Sequence, residues 1–283
     1  MADAICHPGV LGLGLIGSRV AARLQAAGLT PAVWNRTPRD FPGLPALSDS
    51  PAAVARAADV LQIFVADDAA LEATVAAMLP ELGPRHVVVS HATVSPDTVS
   101  ALAARVAATG AGFLDAPFTG SRDAAAAGQI TYYIGGSESD LAGARPVLEC
   151  SAKAVIPLGP VGTASAVKLA TNVMAAAAAV SLAEAVNLLR ARGLDPALLV
   201  TALETNAARS GVTDLKLPCM LGDDFAPRFS VRNMRKDLRL ARDSSDPARR
   251  ALTESMLRLY DSACDTGLAD EDFSAVVKVV AGS

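Results

Sequence analysis

Val10-Leu11-Gly12-Leu13-Gly14-Leu15-Ile16-Gly17 passes from a short apolar run, Val10 to Leu13, through a Gly-x-Gly-x-x-Gly pattern into the Ala-rich stretch Ile16 to Ala27, which stops at Gly28. The pattern alone is common. It gains weight from a strand leading in and an amphipathic helix leading out. In that setting Gly12 permits a tight turn, Gly14 lets the backbone approach a pyrophosphate, and Gly17 lets the helix pack closely on the strand. The helix start then offers unpaired N–H groups and a positive dipole end to phosphates. A glycine-rich turn with no ligand is the competing reading.

Outward from the turn, strands and helices alternate. Strands are predicted at Ala32 to Asn35, Val60 to Val65, Val87 to Ser90, Gly112 to Asp115 and Thr131 to Gly135. Helices are predicted at Pro51 to Ala57, Ala69 to Leu79 and Asp97 to Thr109. This alternation implies an α/β domain with a mostly parallel, doubly wound Rossmann-type sheet over residues 1–162. After Gly162 the pattern changes. Thr163 to Arg192 contains no strong breaker and ends at Gly193, which reads as one interdomain helix of about 30 residues, roughly 45 Å long. Helices follow at Pro196 to Thr205, Val212 to Leu217, Val231 to Ser244, Pro247 to Thr266 and about Asp272 to Val280. The expected architecture is a Rossmann-type domain followed by an all-α domain over residues 163–283, joined by the long helix.

Composition agrees with a large core and narrows the partners. Hydrophobic residues are 51% of the 283 and charged residues 19%, which excludes a disordered chain. Aromatics are only 4%, so Ala, Val and Leu must fill the interior. A net charge of −4 gives no electrostatic case for nucleic acid or an anionic membrane surface. The N-terminal MADAICHPGV has no basic n-region, and the most apolar run, Val173 to Val180, falls short of the roughly 20 residues a bilayer requires. Cys6, Cys150, Cys219 and Cys264 are dispersed with no CxxC pair, which suits buried, inert thiols in a reducing cytoplasm. His7, His86 and His91 lack metal-ligand spacing, so no metal is expected.

Two further stretches bear on chemistry. The second strand ends in Asn35-Arg36-Thr37, where an NAD enzyme usually carries a carboxylate for the ribose 2′-hydroxyl. Arg36 can pair with a 2′-phosphate and stack on adenine, with Asn35 and Thr37 donating hydrogen bonds, so NADP(H) is expected over NAD(H). Lys168 and Asn172 lie four apart near the start of the long helix and share a face. A lysine on an apolar helix between two domains would be desolvated, which lowers its pKa and readies it for proton transfer. A solvated surface lysine is the alternative.

Four separated motifs together resemble the β-hydroxyacid dehydrogenase family. They are Gly12 to Gly28 with Asn35-Arg36-Thr37; Asp115-Ala116-Pro117-Phe118-Thr119-Gly120-Ser121 with Ala127-Gly128 and Ile134-Gly135-Gly136; Gly162 to Asn172 with Glu184-Ala185; and Phe229 to Leu238. Within the family, Thr119-Gly120-Ser121-Arg122, Tyr132-Tyr133-Ile134, Asn206 to Gly211 and Leu215-Lys216-Leu217-Pro218 look most like the glyoxylate and succinic semialdehyde reductase branch. The resemblance implies that Lys168 is the general acid in reduction and the base in oxidation, and that Asn172 orients the substrate. It implies that Gly120 and Ser121 hold a substrate carboxylate with Thr119 also binding substrate, that Val65 binds the cofactor, that Thr93 lies near the nicotinamide and substrate, and that Lys236 closes over the nicotinamide with Phe229 and Asp237 in support. For Lys236 and Asp237 a helix-surface pair is the alternative. His91 stands near Thr93, where a structural role is expected, and Arg228 and Asn233 depart from histidines expected in this branch.

The implied reaction interconverts a small aldehyde-acid or keto-acid and its hydroxyacid with NADPH. One rival is an imine reductase, although such enzymes generally lack the lysine that Lys168 matches. The other is a non-catalytic NADPH-binding protein on the same fold. The long apolar helix suggests a homodimer or homotetramer.

Overall fold

The computed structural model describes residues 7–280, so Cys6 lies outside the described residues. The chain divides into two compact units, with the division between Lys168 and Leu169.

The first unit is the doubly wound sheet. Its elements are β1 (Pro8–Leu11), α1 (Gly17–Ala26), β2 (Ala32–Trp34), α2 (Pro51–Ala57), β3 (Val60–Ile63), α3 (Asp68–Met78), β4 (Val87–Ser90) and α4 (Pro96–Ala107). Then come β5 (Gly112–Asp115), β6 (Phe118–Thr119), α5 (Arg122–Ala126), β7 (Ile130–Gly135), α6 (Glu138–Glu149) and β8 (Ala152–Gly159). The strand order is β2-β1-β3-β4-β5-β7-β6, with β8 also on β7. The pairs among β1 to β5 are parallel, while β7 runs antiparallel to β5 and β6.

Strand side chains alternate between two cores, as the two-residue period requires. Val10, Val60, Val89 and Leu114 join one cluster, with Val20, Ala21 and Leu24 of α1 and Leu141 and Val147 of α6. Leu11, Leu61, Ile63, Val88 and Phe113 join the other, with Val54, Leu71, Val75, Val99 and Leu102 of α2, α3 and α4. Burial on both faces explains why these strands read as unbroken apolar runs.

Several boundaries differ from the expectation. β1 stops at Leu11 rather than Leu13, because Gly12 turns to φ +94°. β3 stops at Ile63, which leaves Val65 in the following loop. Short β6 and α5 escaped the sequence reading, as did α6, whose Pro146 sits inside the helix, and β8.

Helix α7 (Thr163–Ala191) has 29 residues. It ends as its sequence foretold: Gly193 takes φ +71°, and Leu194 N–H returns to Leu189 C=O at 2.9 Å. Among the described residues, α7 is the helix long and apolar enough by composition to cross a membrane. Its residues Ala176, Ala179, Val180, Leu182, Ala183 and Val186 instead supply one side of the second unit's core.

That unit continues with α8 (Leu198–Leu203), α9 (Gly211–Leu221), α10 (Val231–Asp243), α11 (Ala251–Asp265) and α12 (Val277–Val280). α9 runs four residues past the expected end, through Pro218. The expected helix from Pro247 is two pieces, a single 3₁₀ turn at Pro247–Arg249 and then α11, with Arg250 at φ −120° between them. The last segment begins as a 3₁₀ turn at Phe273–Val276 capped by Asp272. Met220, Phe225, Val231, Met234, Leu238, Met256 and Tyr260 close the core against α7.

Inside this unit Lys216 of α9 donates to both oxygens of Asp272, at 2.8 and 2.9 Å, with both side chains almost wholly buried. Burial alone would raise the Asp272 carboxyl, but the Lys216 ammonium and the Ser274 hydrogen bonds outweigh it and hold it below the ordinary 3.8. A carboxylate whose folded value is depressed lends stability above its unfolded value and loses it as pH falls through the folded one. Stability is therefore expected to drop below about pH 4, and Asp272→Asn should flatten that limb in a series of denaturant unfolding curves.

The glycine turn supplies a second stability expectation. A Cβ at Gly12 would sit 2.1 Å from the Phe64 carbonyl oxygen, whereas one at Gly14 meets nothing within 4 Å. Gly12→Ala should cost more than about 3 kcal/mol and Gly14→Ala less than about 1 kcal/mol in urea unfolding.

Candidate active site

The order β2-β1-β3 places a switch point at the C-terminal ends of β1 and β3, the place where an open α/β sheet leaves a crevice for ligands. The glycine turn lies there. Gly12 N–H donates to Trp34 C=O at 2.8 Å, and Phe64 N–H donates to Leu11 C=O at 2.8 Å, so both neighbouring strands clamp it. A Cβ at Gly17 would stand 2.0 Å from the Gly12 carbonyl oxygen. Gly12 and Gly17 thus have no spare room, and Gly14 faces open space.

The start of α1 is bare. Ile16 occupies the N-cap without a side-chain hydrogen bond, and the first turn holds no acidic residue. The other helices that begin in this unit are capped by Ser50, Asp67, Ser95, Ser121 and Ser137, and Asp115 accepts the Ser165 N–H at the start of α7. Bare amides beside an open glycine fit a dinucleotide pyrophosphate. Leu13 and Ile16 stay packed in the turn, while Leu15 is 59% exposed beside it.

At the end of β2, Asn35 acts as a strut. Its Oδ1 accepts Leu13 N–H at 2.8 Å, and its Nδ2 donates to Thr37 C=O at 2.8 Å. Arg36 and Thr37 are exposed. Sequence reasoning missed Arg39, whose Nη2 donates to Leu13 C=O at 3.2 Å while its guanidinium lies 4.7 Å over Phe41. A second arginine three residues beyond Arg36 was the available signal.

Val65 and Thr93, both half-buried, leave the ends of β3 and β4 on this same edge. Beneath them His91 is buried. Its Nδ1 lies 2.8 Å from Ala116 C=O and its Nε2 3.0 Å from the Gln62 side chain. Burial drives the imidazole down to about 3, against a smaller opposing effect from the Ala116 bond, so the ring is neutral. A neutral ring has one N–H, and a carbonyl can only accept, so Nδ1 carries it. Gln62 then satisfies both groups by turning its amide nitrogen toward Nε2. His91 stacks on Phe64 at 4.3 Å and meets Tyr132 at 4.9 Å. It supports the residue whose carbonyl limits Gly12, which is a structural task.

The segment after β5 presents Thr119, Gly120 and Ser121. Thr119 and Gly120 are exposed, and Gly120 has φ +146°, a backbone that favours glycine. Ser121 caps α5, its Oγ accepting Ala124 N–H at 3.1 Å, so its own O–H remains available as a donor. At the head of this segment Asp115 is wholly buried. Its Oδ2 accepts Gly162 N–H at 3.1 Å and Ser165 N–H at 2.8 Å, and its Oδ1 accepts the Ser165 hydroxyl at 2.6 Å. Burial pushes the carboxyl up while these donors pull it back. Asp115 thereby pins the first turn of α7 one turn before Lys168, which is half-buried rather than dry.

The second unit holds the remaining candidates. Asn172, one turn beyond Lys168 on α7, is 8% exposed and donates Nδ2–H to Asp237 Oδ2 at 2.6 Å. Lys236 Nζ stands 2.8 Å from Asp237 Oδ1. That contact is an ion pair without hydrogen-bond alignment, so Oδ1 keeps an unused acceptor position. Asp237 is 1% exposed, which removes the reading of an ordinary surface pair. Phe229 is half-buried, edge-on to Phe273 at 6.0 Å. Arg228 donates to Cys219 Sγ at 3.0 Å and to Asp224 at 3.4 Å, and Asn233 is exposed in the first turn of α10.

Comparison with known proteins fits this arrangement. Residues 7–159 match the family described as the NAD binding domain of 6-phosphogluconate dehydrogenase, and residues 162–280 match the NAD-binding domain of NADP-dependent 3-hydroxyisobutyrate dehydrogenase. The Arabidopsis thaliana chloroplastic glyoxylate/succinic semialdehyde reductase 2 is 31% identical over 96% of this chain and 78% of that protein. A Mycobacterium tuberculosis 3-hydroxyisobutyrate dehydrogenase solved with L-serine is 27% identical, with TM-score 0.88 over 98% of this chain and 99% of that one. A Streptomyces aurantiacus imine reductase, 22% identical with TM-score 0.65 over 96% and 99%, shares the fold alone. Two matched domains in series and a full-length relative above 30% identity place this chain in the β-hydroxyacid dehydrogenase family, as an NAD(P)-dependent oxidoreductase of small hydroxyacids and their carbonyl counterparts.

Proposed function

We propose that the protein reduces a small aldehyde-acid or keto-acid, of the size of glyoxylate or succinic semialdehyde, with NADPH, and that Lys168 supplies the proton. The observation that carries the reading is the bare first turn of α1 beside an exposed Arg36. Those amides suit a pyrophosphate, and a free guanidinium at the end of β2 suits a 2′-phosphate. Gly12 to Gly17 would hold the pyrophosphate, Arg36 and Thr37 the 2′-phosphate, and Val65 and Thr93 the nicotinamide side. The cofactor, when bound, supplies the hydride.

The chain's own residues do the rest. Gly120 N–H and the Ser121 N–H and O–H bind the substrate carboxylate, with Thr119 beside them. Lys168, fixed on a turn that Asp115 anchors, gives a proton to the carbonyl oxygen as negative charge gathers there, and takes it back in the oxidative direction. Asn172, its Nδ2 already committed to Asp237, keeps its carbonyl oxygen to orient a donor. By the family resemblance, Lys236 would serve the nicotinamide and Phe229 the substrate. Exposed Met174 and Leu188, fourteen residues apart on α7, support assembly into a homodimer or homotetramer.

Replacing Lys168 by Ala should lower kcat by about a thousandfold with NADPH affinity nearly intact, read by NADPH absorbance against a panel of small aldehyde-acids. Turnover within about tenfold of the wild type would remove the lysine from the chemistry. Arg36→Ala should raise the KM for NADPH by about ten- to a hundredfold and that for NADH by less than about threefold. Equal losses would end the case for NADP.

A further inference from the structure

The segment from Phe225 to Ser230 carries Phe229 and has no regular structure of its own. It is stitched to residues 269–274 instead. Asp272 N–H donates to Phe225 C=O and Val231 N–H to Glu271 C=O, both at 2.9 Å, and Phe273 N–H donates to Phe229 C=O at 2.8 Å. Asp272 sits at the centre with no exposed surface. Its Oδ2 accepts the consecutive N–H groups of Arg228 and Phe229, each at 3.2 Å. Its Oδ1 accepts the Ser274 hydroxyl at 2.7 Å and Ser274 N–H at 3.1 Å. Lys216 Nζ bridges both oxygens and lies 4.4 Å over the Phe273 ring, the ring that Phe229 meets edge-on.

A buried ion pair is a poor device for stability alone, because a well-packed apolar pair often serves as well or better. What this pair does that an apolar pair cannot is fix two successive backbone amides. A carboxylate is the acceptor that can take them together with two further donors, and an ammonium is what makes that charge tolerable in the interior. We propose that Lys216 and Asp272 are positioning residues that set the Arg228–Phe229 backbone, and through it the Phe229 side chain against the substrate. The inference rests on the reductase reading given above. Its signature is a rise in KM for the carbonyl substrate, with kcat and cofactor KM little changed, since neither group touches the reacting atoms.

The test is Asp272→Asn in the full-length enzyme, with Lys216→Gln as a second variant and Arg232→Ala, which breaks the exposed pair to Asp270 nearby, as control. Succinic semialdehyde and glyoxylate are the probes. Asp272→Asn should raise the KM for the carbonyl substrate about tenfold or more, leave kcat and the NADPH KM within about threefold, and speed amide hydrogen exchange at Arg228 and Phe229. The double variant Asp272→Asn/Phe229→Ala should lose no more than Phe229→Ala alone, because the two act in series. An active wild type with unchanged KM in folded Asp272→Asn, or additive losses in the double variant, overturns the positioning role. Failure of both single variants to fold assigns the pair to stability and overturns it too. A wild type inactive on the whole panel overturns the reductase reading, and this inference with it.

Discussion

The backbone amides at the start of α1 are the constraint around which the first unit is arranged. Every other α-helix that begins there has a serine or aspartate oxygen accepting an early N–H group, and α1 has none. Nor can the turn relax to satisfy them internally. Gly12 is pressed against the Phe64 carbonyl, Gly17 against the Gly12 carbonyl, and Leu13 N–H is already spoken for by Asn35. Amides without a side-chain cap, held in a rigid turn at an exposed edge, are suited to an anion. The neighbouring residues are compatible with it: the first turn of α1 has no acidic side chain, and Gly14 is open.

Buried carboxylates organise the remainder. Asp115, Asp237 and Asp272 are almost fully enclosed; Asp237 ties α10 to α7 through Asn172, while Asp115 and Asp272 each stand where an irregular segment meets a helix. Asp115 joins the Thr119–Ser121 segment to the first turn of α7, and Asp272 joins the Phe229 segment to the last turns of the chain. Those two differ in having a cation beside them. Both are buried and both accept several N–H and O–H donors. Asp115, with no ammonium beside it, is pushed up by burial, while Asp272, with Lys216, is held down. At Asp115 the donor bonds do not offset burial, whereas at Asp272 the Lys216 ammonium together with the Ser274 bonds does.

Local signals in the sequence located the structure well where geometry is local. Gly28 and Gly193 end their helices in left-handed conformation because only there does a following N–H reach back to a helix carbonyl, and both were legible as stops. The glycine turn and Asn35-Arg36-Thr37 were legible for the same reason. What escaped depends on distant partners. Pro146 and Pro218 lie inside helices that tertiary packing sustains, so propensity misplaced or hid those elements. β8 is written half exposed and lacks the apolar run of a central strand, since it forms an edge beside β7 alone. His91 was expected to be structural from its place beside Thr93, but its partners Gln62 and Ala116, 29 and 25 residues away, were not legible. Lys216 and Asp272 are 56 residues apart, and nothing at either position announces the other.

The same pair bears on Arg228, where the resemblance leads one to expect a histidine. The attachment of Arg228 to Asp272 is through its backbone N–H, which any residue but proline provides. Its guanidinium turns to Cys219 and Asp224, away from that task. A position held through its main chain can exchange its side chain while the neighbouring Phe229 stays where Asp272 puts it.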